Sequence, residues 1–147
     1  MIAVAIFRSS WWPSGALSEN DAFATSLLTN DAVIRITMTS NHTRQVIDAG
    51  SRSFAGPGVV WTSDDTIEPW KYVLLANMGT GLANVTVDFV DLGLGANTSC
   101  DVLDLWHWRS WPRSTRTLSV FGGLRSHASA LLRLSNCTDA VGAHKAR

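Results

Sequence analysis

The chain has 147 residues, a formal net charge of zero and a pI near 6.9. This length suits one domain, or one domain with part of another, and is enough to bury a substantial core. The balanced charge disfavours nucleic acid and anionic membranes as partners, because proteins that bind them usually carry an excess of Lys and Arg. The apolar run 2–7 is about six residues long and follows no basic residue, so it predicts neither a signal peptide nor a membrane span.

The segment that follows this run is predicted to contain a helix. Ser18 and Asp21 have the spacing of a capping box, and apolar residues follow at helical intervals. The helix is expected to end near Thr29, or to continue through Asp31 to Ile36. Its apolar side should be covered by another part of the fold.

From about residue 45 the sequence changes to short β-type runs separated by turn residues. The predicted strands are 45–47, 59–62, 71–77, 84–89, 101–106, 115–121 and 129–134. In the run 84–89, alternation places Val85, Val87 and Phe89 on one face and Asn84 on the other. Short strands at this density predict an antiparallel sandwich or barrel.

Asn-x-Ser/Thr sequons begin at Asn41, Asn84, Asn97 and Asn136. About one or two would be expected by chance at this Ser and Thr content, so four is a mild excess that favours a glycoprotein. Chance occurrence in a Ser/Thr-rich chain is the alternative.

The two cysteines, Cys100 and Cys137, stand before one predicted strand and after the last. If those strands run antiparallel, the cysteines lie near each other and a disulfide is possible. Such a bond would stabilise the fold by about 4 kcal/mol in the chain-entropy model. Two free buried thiols are the alternative, because spacing alone does not establish a pair.

The order and pattern of the later strands resemble a known family. The runs 71–77, 84–94, 101–106 and 126–134 together are similar to the C-terminal β-sandwich of the α-galactosidases of glycoside hydrolase family 27. The segment 27–33, Leu-Leu-Thr-Asn-Asp-Ala-Val, resembles the end of the last barrel helix in that family. The resemblance implies a mainly β, antiparallel, Greek-key-like sandwich at 45–138, a helical remnant of a (β/α)8 barrel at 1–40, and a flexible tail at 139–147.

Two departures from the family pattern fall on the barrel side, at 10–15 and 36–38. If residues 1–40 are a barrel remnant, the helix and the strand region around Trp11 and Trp12 have lost their apolar partners. We then expect exposed apolar surface, and we expect deletion of 1–40 to improve solubility.

The resemblance implies retaining hydrolysis of α-galactosides by two aspartates about 5 Å apart. Both would lie on barrel strands upstream of Met1, so we assign no catalytic residue in this chain. Asp64 and Asp65, an adjacent pair, are interpreted as solvated turn residues. The histidines lack metal-ligand spacing, and we predict neither a metal nor a cofactor.

Trp108 and Trp111 are candidate carbohydrate-binding residues. They alternate with His107 and Arg109, and flat aromatic faces beside hydrogen-bonding groups are typical of sugar sites. The alternative is that these tryptophans are exposed because the barrel that covers them is absent. Trp106 matches the end of a family strand and is expected to pack in the sandwich or against the barrel.

These observations support two alternative functions. In the first, this is the sandwich region of an α-galactosidase-like hydrolase that acts on terminal α-D-galactosyl residues, and the chain alone is inactive. In the second, it is a stand-alone, non-catalytic module that binds carbohydrate or another partner. The complete family member is expected to be secreted, lysosomal or vacuolar, with an α-galactoside as its ligand. The sequence does not indicate an oligomeric state.

Overall fold

The structure, a computed structural model, describes residues 6, 21–47 and 57–139. Residues 21–47 contain two helices, α1 (Ala22–Leu28) and α2 (Asp31–Thr39). The strands that follow are β1 (Ser40–Ile47), β2 (Gly58–Asp65), β3 (Lys71–Asn77), β4 (Thr86–Asp88), β5 (Thr98–Asp104), β6 (Arg109–Thr115), β7 (Thr117–Ser119) and β8 (Ser129–Asp139).

The strands form two antiparallel sheets. One has six strands in the order β1-β2-β3-β8-β5-β6, and the other pairs β4 with β7. The last strand therefore lies in the middle of the large sheet, with Leu131 opposite Leu74 on β3 and Leu134 opposite Val102 on β5. This arrangement confirms the predicted mainly β, antiparallel fold class.

One face of the large sheet packs against the small sheet and its loops. Val85, Val87 and Phe89 are at most 1% exposed, whereas Asn84 is exposed, which confirms the predicted alternation. Across from them, the large sheet contributes buried aliphatic side chains from each of its inner strands: Val60, Val73, Leu75, Val102, Ala130, Leu132 and Leu134. This is the sandwich core.

The opposite face of the large sheet carries a second hydrophobic core. Helix α2 lies on it, and Ala32, Val33 and Ile36 are buried there. Their partners are Tyr72, Leu74, Leu105 and Leu131. The expectation that the helix has lost its apolar partner is therefore wrong for α2, because the sheet itself covers that side. Trp11 and Trp12 lie outside the described residues.

Asn30 separates the two helices. Its Oδ1 accepts hydrogen bonds from the backbone N–H of Ala32 (3.0 Å) and Val33 (3.2 Å), which caps α2. Its Nδ2 donates to the carbonyl of Leu105 at 3.1 Å. A break at this residue matches the first sequence alternative, a helix that ends near Thr29, rather than a single helix to Ile36. Ser18 of the predicted capping box lies outside the described residues.

Strand β6 was not predicted from the sequence. This strand forms one edge of the large sheet and pairs with β5, Trp111 lying opposite Val102. Most of its residues are exposed, and it contains Pro112, which lacks a backbone N–H. Proline is tolerated on an edge strand because one side of the strand has no partner to receive a hydrogen bond. Neither strand periodicity nor strand composition therefore marked this segment.

Candidate functional site

A buried carboxylate organises the contact between α2 and the large sheet. Asp65 ends β2, and its side chain has no exposed surface. Five donors surround its two oxygens: the Tyr72 hydroxyl (2.5 Å), the Thr39 hydroxyl (3.0 Å), Nε of Arg35 (3.2 Å) and the backbone N–H groups of Ile67 (2.8 Å) and Glu68 (3.0 Å). Two of these donors belong to α2, so the carboxylate joins the helix to the sheet.

Burial and hydrogen bonding act on the pKa of Asp65 in opposite directions. Burial would raise it, but hydrogen bonds from Tyr72, from the two backbone N–H groups and from Arg35 outweigh that effect and hold the pKa well below its usual range. Burial, together with the hydrogen bond to Asp65, raises the pKa of Tyr72 to about 12. At neutral pH, the carboxylate is therefore ionised and the phenol is protonated.

The interpretation of Asp64 and Asp65 as solvated turn residues is wrong, because both belong to strand β2 and Asp65 is also buried. The Asp64 side chain is 41% exposed and pairs with Lys71, as a surface residue would. A signal was present in the sequence, because Trp61, Ser63 and Asp65 alternate along β2 and share one face. Because Trp61 is a large aromatic residue, its presence on that face indicates that Ser63 and Asp65 are buried as well.

Beside Asp65, two arginines stack on one tryptophan. The guanidinium carbons of Arg35 and Arg133 lie 4.5 and 4.0 Å from the centre of the Trp70 ring. Both distances suit cation–π contacts. Arg35 belongs to α2 and Arg133 to β8, so this stack is a second polar connection between the helix and the sheet.

Trp108 stands in the turn between β5 and β6. The carboxylate of Asp104 shapes this turn by accepting from the backbone N–H of Trp106 (2.9 Å) and His107 (3.2 Å), and His107 Nδ1 lies 2.9 Å from its other oxygen. Trp108 has a φ of +50° and is 58% exposed. A bulky residue rarely adopts this conformation, and such outliers concentrate at functional sites.

Two clefts meet at Trp108. One, of about 610 Å³, is lined by Trp106, Trp108 and polar residues of the helices and the turn, namely Ser26, Thr29, Asn30, Asp31 and His107. The other, of about 190 Å³, includes Trp108 together with Arg35, Trp70 and Arg133. Trp106 packs against the second core.

The structure does not bring Trp111 to the same place. Trp111 is partly buried against the sandwich core and lines a different cleft, of about 630 Å³, with Arg109, Ser110 and the exposed Phe121. The two candidate tryptophans therefore do not form one continuous sugar platform.

Cys100 and Cys137 are joined by a disulfide that links β5 to β8. The sequon residues Asn41, Asn84, Asn97 and Asn136 are all exposed. Among the residues that the structure describes, no group of three or more His, Cys, Asp or Glu side chains is placed to hold a metal ion. No helix in that part of the chain is long and apolar enough to cross a membrane.

Comparison with known families identifies the sandwich. Residues 55–134 match the family model described as the α-galactosidase C-terminal β-sandwich domain. The chain belongs to that family. No curated protein matches the sequence.

Two solved structures are similar to this chain. A GH27 β-L-arabinopyranosidase from Geobacillus stearothermophilus is 31% identical, with a TM-score of 0.81, over 96% of this chain and 29% of that one. α-Galactosidase I from Mortierella vinacea shares the fold, with a TM-score of 0.78 and 15% identity, over 95% of this chain and 35% of that one. The chain thus spans about a third or less of either enzyme and corresponds to the C-terminal sandwich region of GH27 α-galactosidase-like proteins.

Proposed function

We propose that this chain is the sandwich region of a hydrolase that removes terminal α-D-galactosyl residues, and that the chain alone is inactive. The observation that carries the proposal is the second buried face of the large sheet, which holds α2 through a hydrophobic core and the Asp65 network. A free-standing sandwich needs only one such core. In this division, residues 1–40 end a (β/α)8 barrel, 45–138 form the sandwich, and 139–147 form a tail.

The sugar specificity of the complete protein is part of the same proposal. A β-L-arabinopyranoside has the ring configuration of an α-D-galactoside without its hydroxymethyl group, so the two substrates differ at one position. The contacts that distinguish them would lie in the barrel, and the sandwich is compatible with either. We infer galactoside hydrolysis from the family description, with the arabinopyranoside as the competing outcome.

The test is to sequence the gene upstream of Met1 and assay the complete protein. We expect a barrel with two aspartates, and retaining hydrolysis of an aryl α-D-galactoside, while residues 1–147 alone give no turnover. An in-frame stop codon immediately upstream would overturn the proposal. Hydrolysis of only the aryl β-L-arabinopyranoside would overturn the sugar assignment and leave the role of the sandwich intact.

A second candidate function, carbohydrate binding by the sandwich itself, is favoured by Trp108. Its strained backbone and exposed ring stand beside polar groups in the 610 Å³ cleft, which is an arrangement suited to stacking on a pyranose. Trp111, in its own cleft, would act separately. The ligand would be a neutral sugar of the galactose type.

We expect Trp108→Ala to weaken binding of the chain to galactomannan by about fivefold or more, because an aromatic contact contributes about 1 kcal/mol. Affinity electrophoresis measures this change. Leu82→Ala is the control, since Leu82 is 69% exposed and lines none of these clefts. Equal retardation of both variants and the parent chain would remove Trp108 from the binding site.

We also propose that the complete protein is a glycoprotein of the secretory pathway, either secreted or held in a lysosome or vacuole. Two observations support this: all four sequon asparagines are exposed, and Cys100 and Cys137 form a disulfide, a bond that persists mainly in oxidising compartments.

A further inference from the structure

Two of the four sequons flank the disulfide. The Asn97 sequon ends at Ser99, directly before Cys100, and the Asn136 sequon contains Cys137 as its middle residue. The bond joins β5 to β8 where these strands pair, Ser99 lying opposite Thr138. Formation of the disulfide therefore restricts the conformation of both sequons. Asn136 is restricted directly, because the next residue, Cys137, is one of the bonded cysteines.

One arginine holds the hydroxyl groups of both sequons. Arg113 donates from Nε to Ser99 Oγ at 2.9 Å and from Nη2 to Thr138 Oγ1 at 2.8 Å. A third-position hydroxyl is part of what defines a glycan acceptor. In the folded chain, both hydroxyls are engaged with an internal partner instead.

The acceptor nitrogen of Asn136 is engaged as well. Its Nδ2 donates to Asp101 Oδ2 at 2.9 Å, and its backbone carbonyl oxygen accepts from Arg113 Nη2 at 2.8 Å. Asn136 also has a φ of +47°, in the left-handed region, beside an irregularity in the pairing of β5 with β8. The backbone and side chain of this asparagine are therefore held in one conformation beside the disulfide.

Glycan transfer and disulfide formation make different demands on this segment. In transfer, Asn136 Nδ2 forms a bond to the anomeric carbon of a lipid-linked oligosaccharide, the lipid diphosphate leaves, and the amide loses a proton. In disulfide formation, the two thiols lose two protons, and two electrons pass to a disulfide-bearing oxidase. Glycan transfer needs an unfolded, accessible Asn136 segment, whereas disulfide formation holds that segment in its folded conformation.

We propose that formation of the Cys100–Cys137 disulfide closes Asn136 to glycosylation, so that occupancy of this sequon depends on which reaction comes first. The proposal rests on the secretory part of the proposed function. A glycan attached first can remain, because Asn136 is exposed in the fold. Asn84 is the internal reference, because its sequon includes neither cysteine and its side chain is exposed.

The test is translation of residues 1–147 behind a cleavable secretion leader in the presence of microsomes, with glycan occupancy measured at each asparagine by peptide mass spectrometry. Under oxidising conditions, we expect low occupancy at Asn136 and substantial occupancy at Asn84. Dithiothreitol should raise occupancy at Asn136 several-fold and leave Asn84 unchanged. Cys100→Ser should have the same effect without reductant, because it leaves the Asn136 sequon intact.

Cys137→Ser is the second variant, since it preserves an Asn-x-Thr sequon and also removes the bond. It should behave like Cys100→Ser, and neither variant has to fold, because transfer acts on the free chain. Equal Asn136 occupancy in the disulfide-bonded parent and in both variants would overturn the proposal. The proposal would also be overturned if Asn136 carried no glycan in either cysteine variant, whatever the glycan occupancy of Asn84. Because the leader and the microsomes impose the secretory route in this experiment, failure here is distinct from failure of the proposed secretory location, and the readout does not depend on hydrolysis.

Discussion

Replacing Asp65 with asparagine is expected to lower the free energy of unfolding by about 1 to 3 kcal/mol, the usual cost of leaving a buried hydrogen-bonding group without its partner. The substitution preserves size but removes the charge, and it places an amide donor among groups that already donate. Tyr72 and Arg35 would each lose an acceptor at a site where the carboxylate has no exposed surface. Urea denaturation followed by tryptophan fluorescence measures the loss.

Asp64→Asn is the matched control for this variant. The two aspartates are neighbours, but the side chain of Asp64 is 41% exposed and its ion pair with Lys71 lies near the surface. Such pairs contribute about 0 to 1 kcal/mol. An Asp65→Asn variant no less stable than Asp64→Asn would show that the buried network does not hold α2 to the sheet.

The same carboxylate gives stability a defined dependence on pH. The pKa of Asp65 is lower in the folded chain than the value of about 3.9 expected for an unfolded one. Its contribution is therefore complete above about pH 4 and is lost as the pH falls further towards the folded pKa. Asp65→Asn should be less stable than the parent chain at neutral pH, and the difference between them should shrink in acid.

Most of the sandwich could be predicted from the sequence. Strand β3 has the predicted bounds, 71–77, and the alternation at 84–89 gave the correct inward face, because these runs combine β-branched residues with a period of two. Strand β6 was not readable, since an exposed edge strand with a proline carries no such period. Its tryptophan, Trp111, was consequently interpreted as a sugar contact or as a residue exposed by the absence of the barrel, and not as part of a strand.

The partners of Asp65, unlike its burial, could not be predicted from the sequence. Its side-chain donors come from positions 26 and 30 residues earlier in the chain and 7 residues later. Contacts at such separations are set by tertiary packing, so the alternation along β2 indicates that Asp65 is buried but does not indicate which groups surround it. The stack of Arg35 and Arg133 on Trp70 was not predictable for the same reason, because its members come from α2, from β8 and from the loop between β2 and β3.

A chain that begins at Ser40 is expected to be less stable and less soluble than the full chain, the reverse of the outcome expected from sequence. Truncation removes Ala32, Val33 and Ile36 from the second core and uncovers the apolar residues of the sheet beneath them. It also removes two donors to Asp65, those of Arg35 and Thr39. We expect a lower unfolding midpoint, increased binding of a hydrophobic dye and self-association in sedimentation experiments.

Point variants in the full chain separate loss of packing from truncation. Ile36→Ala should cost about 2 to 5 kcal/mol, because Ile36 is completely buried against the sheet. Met38→Ala, two residues further along α2, should cost little, because Met38 is 73% exposed. The truncated chain should lose more stability than Ile36→Ala. If truncation instead improves solubility and leaves the unfolding transition unchanged, then α2 is an appendage, and the second face of the sheet does not need it.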